Sequence, residues 1–276
     1  MSGGSRLERR FADRAGEGHR ALILFIAAAD PAVALTPALL HALVAGGADI
    51  IELGYPYCDP ILDGPVIRQA NRRSLDAGGT LDTALHAVAA FREDDDDTPI
   101  ILMGYANPVL SRPVSLFEKM AVAGVDGLII PDLPLREADM ILPAIDSAGM
   151  SLVPLVPPTA FADEARLGDP GVGGFIYAIA QAGPTGGAAP TASGIEAAVA
   201  RCRGLASLPV VVGFGIKTPD NAAMVARHAD GVVVGSALVE FIQRLSMSGM
   251  SDHDLLSCVT VYVARFRQAL DAMTAA

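Results

Sequence analysis

Short hydrophobic runs alternate along this chain with longer segments whose apolar residues recur at helical spacing. Some runs, such as residues 128–130 and 210–212, are continuously apolar, which is typical of parallel strands covered on both faces. The strands predicted from these runs are residues 21–27, 48–53, 99–104, 126–131, 151–156, 173–179, 209–213 and 231–235. The helices predicted between them are residues 36–45, 81–91, 116–123, 137–148, 195–203 and 222–228.

Eight successive units of strand and helix indicate an α/β protein built as a single (β/α)8 TIM barrel. Residues 1–20 are polar and rich in arginine, and they are predicted to form a helical or flexible N-terminal extension, with residues 21–276 forming the barrel. A doubly wound open sheet is the alternative fold. The glycine-rich dinucleotide fingerprint that such a fold often carries after its first strand is missing, because alanines stand there.

Two long connections follow predicted strands at their C-terminal ends, which is where barrels place their sites. One runs from Tyr55 to about Thr80, and the other runs from Ala180 to about Ser193. The second is rich in glycine and proline, and residues 181–192 are expected to close over a bound ligand. An acidic run at residues 93–97 is interpreted as a solvated loop on the opposite face.

Composition narrows the class of partner. Hydrophobic residues make up 51% of the chain and charged residues 18%, so many segments are expected to be buried on both faces. A net charge of −11 disfavours nucleic acid and anionic membrane as partners. No apolar run is long enough to span a bilayer, and three cysteines without a CxxC motif indicate a reducing compartment. The expected location is therefore the cytoplasm.

The residue types available at the strand ends select one class of chemistry. Lys119 falls in a predicted helix and Lys217 in a loop, so neither stands on a strand where a Schiff-base lysine would be expected. All five histidines fall in helices or near the N-terminus, which disfavours a metal site and a histidine-activated nucleophile. The carboxylates that remain at the predicted site face are Asp30, Glu52, Asp59, Asp63 and Asp132. Proton transfer by Asp and Glu is the favoured chemistry.

Glycine-rich turns after the last three strands before the C-terminus indicate a phosphate site. They are residues 183–187, residues 213–217, and Gly235 with Ser236, which opens a predicted helix. Glycines let the backbone approach a phosphate closely, and a helix N-terminus offers free N–H groups. Each turn alone also fits an ordinary tight turn. Together they predict a small phosphorylated substrate.

The segment from Glu52 to Ala70 reads ELGYPYCDPILDGPVIRQA, and it resembles the signature of the tryptophan synthase alpha chain family. Shorter stretches support the same resemblance at residues 30–31, 103–108, 124–127, 131–134, 213–216 and 235–237. The similarity runs from about residue 20 to residue 242. It implies a TIM barrel that cleaves indole-3-glycerol phosphate to indole and glyceraldehyde 3-phosphate by retro-aldol chemistry, without a cofactor.

The resemblance also implies roles for particular residues. Glu52 matches the family's acid and base, and Asp63 matches the carboxylate that holds the indole N–H. The implied substrate-binding residues are Phe25, Tyr105, Ile129, Tyr177, Thr185, Gly186, Phe214, Gly215, Gly235 and Ser236. For Phe25 and Ile129, plain core packing is an equally good interpretation. Pro56 and Asp59 match positions that contact a pyridoxal-phosphate-dependent beta chain, so an alpha2-beta2 heterotetramer is implied.

Departures from the family pattern lie after the first strand and in the two long connections. Ala27 and Ala29 replace a usual Thr and Gly, and in the later connection Gln181 replaces an Arg and Pro184 a Val. In the earlier connection, the departures are Tyr55, Tyr57 and Cys58. Because such loops signal to the beta chain in the family, two alternatives stay open. The expected role is the alpha subunit in L-tryptophan biosynthesis, and the alternatives to it are a free-standing indole-producing lyase and a weakly active regulatory partner of a beta chain.

Overall fold

A computed structural model describes residues 4–157, 166–179, 191–213 and 215–273. Its strands are all parallel and form one sheet in the order β5-β4-β3-β2-β1-β9-β8-β7-β6. The strands are β1 Ala21–Ala27, β2 Ile50–Gly54, β3 Ile100–Met103, β4 Gly127–Ile129, β5 Ser151–Leu152, β6 Leu155–Val156, β7 Ile176–Ala178, β8 Val210–Val212 and β9 Gly231–Val234.

The sheet closes into a barrel because its two edge strands are halves of one segment. Only Val153 and Pro154 separate β5 from β6, and proline has no N–H to offer to a sheet. The Val153 N–H donates to the Leu128 carbonyl at 2.8 Å, on the β4 side. The Pro154 carbonyl accepts from the Tyr177 N–H at 2.9 Å, on the β7 side. The predicted strand at residues 151–156 therefore joins both edges, and the eight-stranded TIM barrel is confirmed.

Helices surround this barrel. They are α1 Arg6–Gly16, α2 Thr36–Ala45, α3 Pro65–Asp76, α4 Leu81–Arg92, α5 Ala106–Leu110, α6 Ser115–Ala123, α7 Leu142–Ser147, α8 Ala192–Arg203, α9 Pro219–Ala226, α10 Ser236–Met247 and α11 Asp252–Asp271, with 3-10 turns at Val33–Leu35 and Leu135–Met140. None of the helices described is long and apolar enough to cross a membrane.

Two predictions about the helices were wrong. The connection from Tyr55 to Thr80 is not one long loop, because α3 occupies Pro65–Asp76 within it. The helix predicted at residues 137–148 is broken into a 3-10 turn and the short α7, which has a proline near its N-terminus. Pro143 fixes its own φ and removes one backbone donor, which suits a new helix start better than a helix interior.

Alternation along each strand divides the core into an inner and an outer cluster. In β1, residues Leu22, Leu24 and Ile26 face the helices, whereas Ile23 and Phe25 face the barrel interior. A period of two is the geometry of any strand, so the same rule assigns the positions of β2. There Ile51 and Leu53 point outward, and the inward positions fall to Ile50 and Glu52. An acid thus occupies an inward position whose neighbours on the adjacent strands, Phe25 and Ile101, are apolar.

Helix α1 covers the N-terminal end of the barrel. Its buried residues Leu7 and Phe11 belong to the inner cluster, and the Phe11 ring lies 5.6 Å from that of Phe175. A helix was expected in the N-terminal extension, but its contact with the barrel was not. The division of the chain into two units at residue 20 stays a prediction.

The acidic run at residues 93–97 is exposed as predicted, but it is not merely solvated. Arg6 of α1 pairs with Asp96, and Arg10 pairs with Asp97 at 2.5 Å. Arg6 also pairs with the buried Asp126 at 3.1 Å. These ion pairs tie α1 to the barrel at the face opposite the strand C-termini.

Candidate functional site

Glu52 lies in the barrel interior, beside Phe25 of β1 and Ile101 of β3 in the strand register. Its side chain is 1% exposed, and its Oε1 atom has no hydrogen-bond partner among the described residues. Burial disfavours the ionised form and raises the pKa of Glu52 to about 8. At neutral pH this carboxyl is therefore protonated and can donate a proton.

Asp63 stands in the turn between β2 and α3, and it is also buried. The Tyr105 hydroxyl hydrogen-bonds its carboxylate, and the Asn71 Nδ2 donates to its Oδ2 at 3.4 Å. Burial raises the pKa of Asp63 to about 6, while these hydrogen bonds and the nearby Arg68 hold it from rising further. Asp63 is thus ionised at neutral pH, when Glu52 is protonated.

Two glycines make room for aromatic rings beside Glu52. A Cβ on Gly54 would lie 2.7 Å from the Phe25 ring, so the ring can cover the end of β2 only because this position is glycine. A Cβ on Gly213 would lie 2.0 Å from the Tyr177 hydroxyl. Both rings are buried, and Tyr177 interacts electrostatically with Glu52.

A cleft at the C-terminal end of the barrel brings most of the predicted site residues together. Its empty volume is about 680 Å³, counting its solvent-filled mouth. The predicted residues that line it are Phe25, Glu52, Asp63, Tyr177, Gly215, Gly235 and Ser236. Tyr105 lines an adjoining recess that shares Asp63 and Phe25. A cleft with a protonated carboxyl, an ionised carboxylate and aromatic walls is suited to a flat heteroaromatic ring.

Four predicted substrate-binding residues line neither the cleft nor the recess. Ile129 is fully buried in the inner cluster and is absent from the lining of the cleft, which fits its core interpretation. Thr185, Gly186 and Phe214 lie outside the described residues, as does most of the predicted closing segment.

One end of the cleft has the features of an anion site. Helix α10 begins there at Ser236, and its N-cap residue Gly235 supplies no side-chain cap, so the first N–H groups are left for another acceptor. Gly215 has φ of 76°, a left-handed conformation that favours glycine. Lys217 is the one lysine or arginine among the described residues that line the cleft.

The five candidate carboxylates lie in different surroundings. Asp30 is buried in an ion pair with Arg73, whose Nη2 lies 2.7 Å from the Asp30 Oδ2. Asp132 accepts a hydrogen bond from the backbone of Ala106, and Asp59 is exposed. Only Glu52 and Asp63 line the cleft, and these are the two that the resemblance implied.

The two predicted partner-contact residues differ in accessibility. Pro56 is buried, whereas Asp59 is exposed on the loop between β2 and α3. The same loop presents two apolar side chains to solvent, Ile61 at 67% and Leu62 at 44% exposure.

Sequence reasoning missed four side chains that line the cleft. They are Ile67, Met103, Leu155 and Val233, whereas Ile216 belongs to the predicted turn at residues 213–217. Met103 ends β3 and Val233 stands near the end of β9, both at inward positions that follow from the alternation of each strand. The inward register of Glu52, followed across the paired strands, is the sequence signal that could have identified Met103 and Val233.

A family model described as tryptophan synthase alpha chain matches residues 11–269. A tryptophan synthase alpha chain of Caulobacter vibrioides is 49% identical over 243 residues, which is 86% of this chain and 87% of that one. Another from Granulibacter bethesdensis is 42% identical over 269 residues and 96% of both chains.

Solved structures agree with these sequence relatives. Tryptophan synthase subunit alpha from Legionella pneumophila superposes with a TM-score of 0.89 at 34% identity, covering 98% of this chain and 100% of that one. A chain in a structure of Mycobacterium tuberculosis tryptophan synthase gives a TM-score of 0.85 at 32% identity, covering 97% and 99%.

Proposed function

Because this chain belongs to the tryptophan synthase alpha chain family, we propose that it cleaves indole-3-glycerol phosphate into indole and glyceraldehyde 3-phosphate. Membership of the family makes it the alpha subunit of a lyase in L-tryptophan biosynthesis. The observation that supports the proposed reaction best is the pairing of a buried, protonated Glu52 with an ionised Asp63 in one aromatic-walled cleft.

The proposed reaction needs one proton to move from the substrate's glycerol hydroxyl to the indole ring carbon that carries the side chain. Glu52 protonates that ring carbon, which converts the indole into a cationic indolenine. Asp63 holds the ring N–H and stabilises the positive charge as it develops. The ionised Glu52 then accepts the hydroxyl proton as the carbon–carbon bond breaks, and the bonding electrons return to the ring. Indole and the aldehyde leave with Glu52 protonated again.

The far end of the cleft would hold the phosphate. The N-terminus of α10 and the turn at Gly215 offer backbone N–H groups, and Lys217 adds a positive charge. An anchored phosphate would orient the ring toward Glu52 and Asp63.

Indole release by the purified chain tests this proposal. We expect Glu52→Gln to lose at least roughly 100-fold in turnover, the usual scale for a positioned acid or base. Asp63→Asn should lose on the order of 100-fold or more, because it removes the charge facing the ring nitrogen. Asp59→Asn makes the same change on an exposed residue of the same loop and should leave the isolated chain's turnover unaltered. Undiminished turnover in Glu52→Gln would show that Glu52 is not the acid.

We also propose a pyridoxal-phosphate-dependent beta chain as the partner, docked on the loop that carries Asp59, Ile61 and Leu62. Two exposed apolar side chains on one loop at the mouth of the site give such a partner a surface to cover. Closing this loop would also adjust Asp63, which ends it.

Turnover and sedimentation with and without a beta chain from the relatives test the partner. We expect association and higher turnover, and we expect Ile61→Asp to abolish both. Val122→Asp places the same charge on α6 at a side chain that is 89% exposed, and it should abolish neither. Failure to associate, together with high turnover of the chain alone, would favour a free-standing lyase instead.

A further inference from the structure

The peptide group between Tyr105 and Ala106 is held from both sides. The hydroxyl of Tyr55 donates to the Tyr105 carbonyl at 2.9 Å, and the Ala106 N–H donates to Asp132 Oδ1 at 2.8 Å. This carbonyl and this N–H belong to one planar unit. The two hydrogen bonds therefore fix the rotation of the peptide and, with it, the direction in which the Tyr105 side chain leaves the backbone.

The other end of that side chain reaches Asp63. The Tyr105 hydroxyl accepts a hydrogen bond from the Leu62 N–H at 2.9 Å, and it also hydrogen-bonds the Asp63 carboxylate. The Tyr105 ring stacks on the Tyr57 ring at a centroid distance of 5.1 Å. One side chain thus joins the loop after β3 to the turn that carries Asp63.

Tyr55 has little freedom to leave its hydrogen bond. It is 2% exposed, and a Cβ on Gly104 would lie 2.4 Å from its ring. Gly104 therefore leaves just enough space for the phenol, and the enclosed ring cannot turn away without displacing its neighbours.

We infer that Tyr55 and Asp132 are positioning residues that set the place of Asp63 through Tyr105. Asp132 lines neither the cleft nor its adjoining recess, and Tyr55 lines the recess but not the cleft that holds Glu52, so neither is assigned a contact with the reacting atoms. The inference rests on the proposed function for its kinetic consequences. Its structural content is independent, because it concerns the surroundings of Asp63.

A double-mutant cycle on indole release tests the inference. Tyr55→Phe should lower kcat/KM about 5- to 20-fold, because the peptide group after Tyr105 loses one of its two hydrogen bonds. Tyr105→Phe should lower it further, and adding Tyr55→Phe to Tyr105→Phe should cost nothing more. Tyr262→Phe makes the same change in α11 and should match the parent. Losses that multiply in the double variant would show that Tyr55 does not act through Tyr105.

The acidic limb of the kcat/KM profile is a second readout, which a general loss of stability would not move. Tyr105 stabilises the ionised Asp63, so Tyr55→Phe and Asp132→Ala, which removes the acceptor of the Ala106 N–H, should both shift that limb to higher pH. An unmoved limb in both variants would contradict the inference.

If the purified chain releases no indole, the proposed function is refuted, but the positioning role of Tyr55 and Asp132 can still be tested. In that case, NMR titration of the Asp63 carboxyl in the parent and in Tyr55→Phe replaces the kinetic profile. A displaced titration in the variant supports the positioning role, and identical titrations in the two proteins would refute it.

Discussion

At the scale of single residues, burial raises the pKa of Glu52 more than that of Asp63. Their pKa values are raised to about 8 and about 6, so between these values Glu52 is protonated and Asp63 is ionised. The proposed chemistry needs this combination. We therefore expect a bell-shaped dependence of kcat/KM on pH, with limbs near pH 6 and pH 8. Initial rates of indole release across pH 5–9 measure it, and a flat profile over that range would contradict the assignment.

The buried Glu52 should also lower the free energy of unfolding as the pH rises. Below about pH 4.5 Glu52 is protonated in both the folded and the unfolded chain, so it imposes no penalty. As the pH rises toward 8, the unfolded chain releases the proton and the folded chain keeps it, so stability falls by up to about 1.4 kcal/mol per pH unit. Above about pH 8 the penalty is complete and constant.

Glu52→Gln removes that penalty. The variant should therefore exceed the parent in free energy of unfolding by a margin that grows between about pH 4.5 and pH 8. Denaturant unfolding at several pH values measures the margin. Glu118→Gln, on an exposed residue of α6, makes the same change as a control and should show no such growth. A margin independent of pH would mean that Glu52 is not buried as an acid.

Single residues also show why only part of the site was predictable. Glu52 could be found because an acid ends an apolar run, and the resemblance added Asp63 and the aromatic residues. Met103 and Leu155 could not be found in this way, because their apolar side chains look like ordinary core residues. What makes them cleft residues is the closure of the barrel, which brings distant strand ends around one opening.

At the scale of elements, α1 contributes to stability through its apolar face. Leu7 is fully buried in the inner cluster. Leu7→Ala should lower the free energy of unfolding by about 2–5 kcal/mol, because it removes buried methyl groups and leaves a cavity. Its KM for substrate should not change, since α1 lies at the opposite face from the cleft. Val122→Ala, at an exposed position of α6, should stay within about 0.5 kcal/mol of the parent in denaturant unfolding. Equal stabilities of Leu7→Ala and parent would refute this role.

The elements were predictable where burial follows hydrophobicity. Helix α2 and strand β1 were predicted with their observed bounds. Helix α3 was missed because Asn71 and Ser74 are among its buried residues, so its buried face is not an apolar stripe. Those polar residues are used locally. Asn71 bonds Asp63, and Ser74 bonds the backbone after β1.

At the scale of the whole molecule, a protein of net charge −11 is proposed to bind a phosphate. Lys217 opposes that charge at the cleft. Lys217→Met should weaken binding of glycerol 3-phosphate about 3- to 10-fold, a modest loss because Lys217 is exposed and screened by salt. The difference should shrink at high ionic strength.

The chain offers a matched control, because its one other lysine is Lys119 on α6. Lys119→Met removes the same charge from the molecule but not from the cleft. Calorimetric titration should find its affinity for glycerol 3-phosphate unchanged. Equal weakening in the two variants would mean that net charge, and not the place of Lys217, governs binding.

Helix α1 contacts residues far along the chain, and this has a consequence for folding during synthesis. Arg6 pairs with Asp96 and Asp126, and Phe11 packs on Phe175. Translation delivers α1 first, yet a nascent chain shorter than about 175 residues lacks the ring on which Phe11 packs. Until then, Phe11 lacks this part of its packing. The first helix to be synthesised therefore cannot complete its packing until more than half of the chain has followed it.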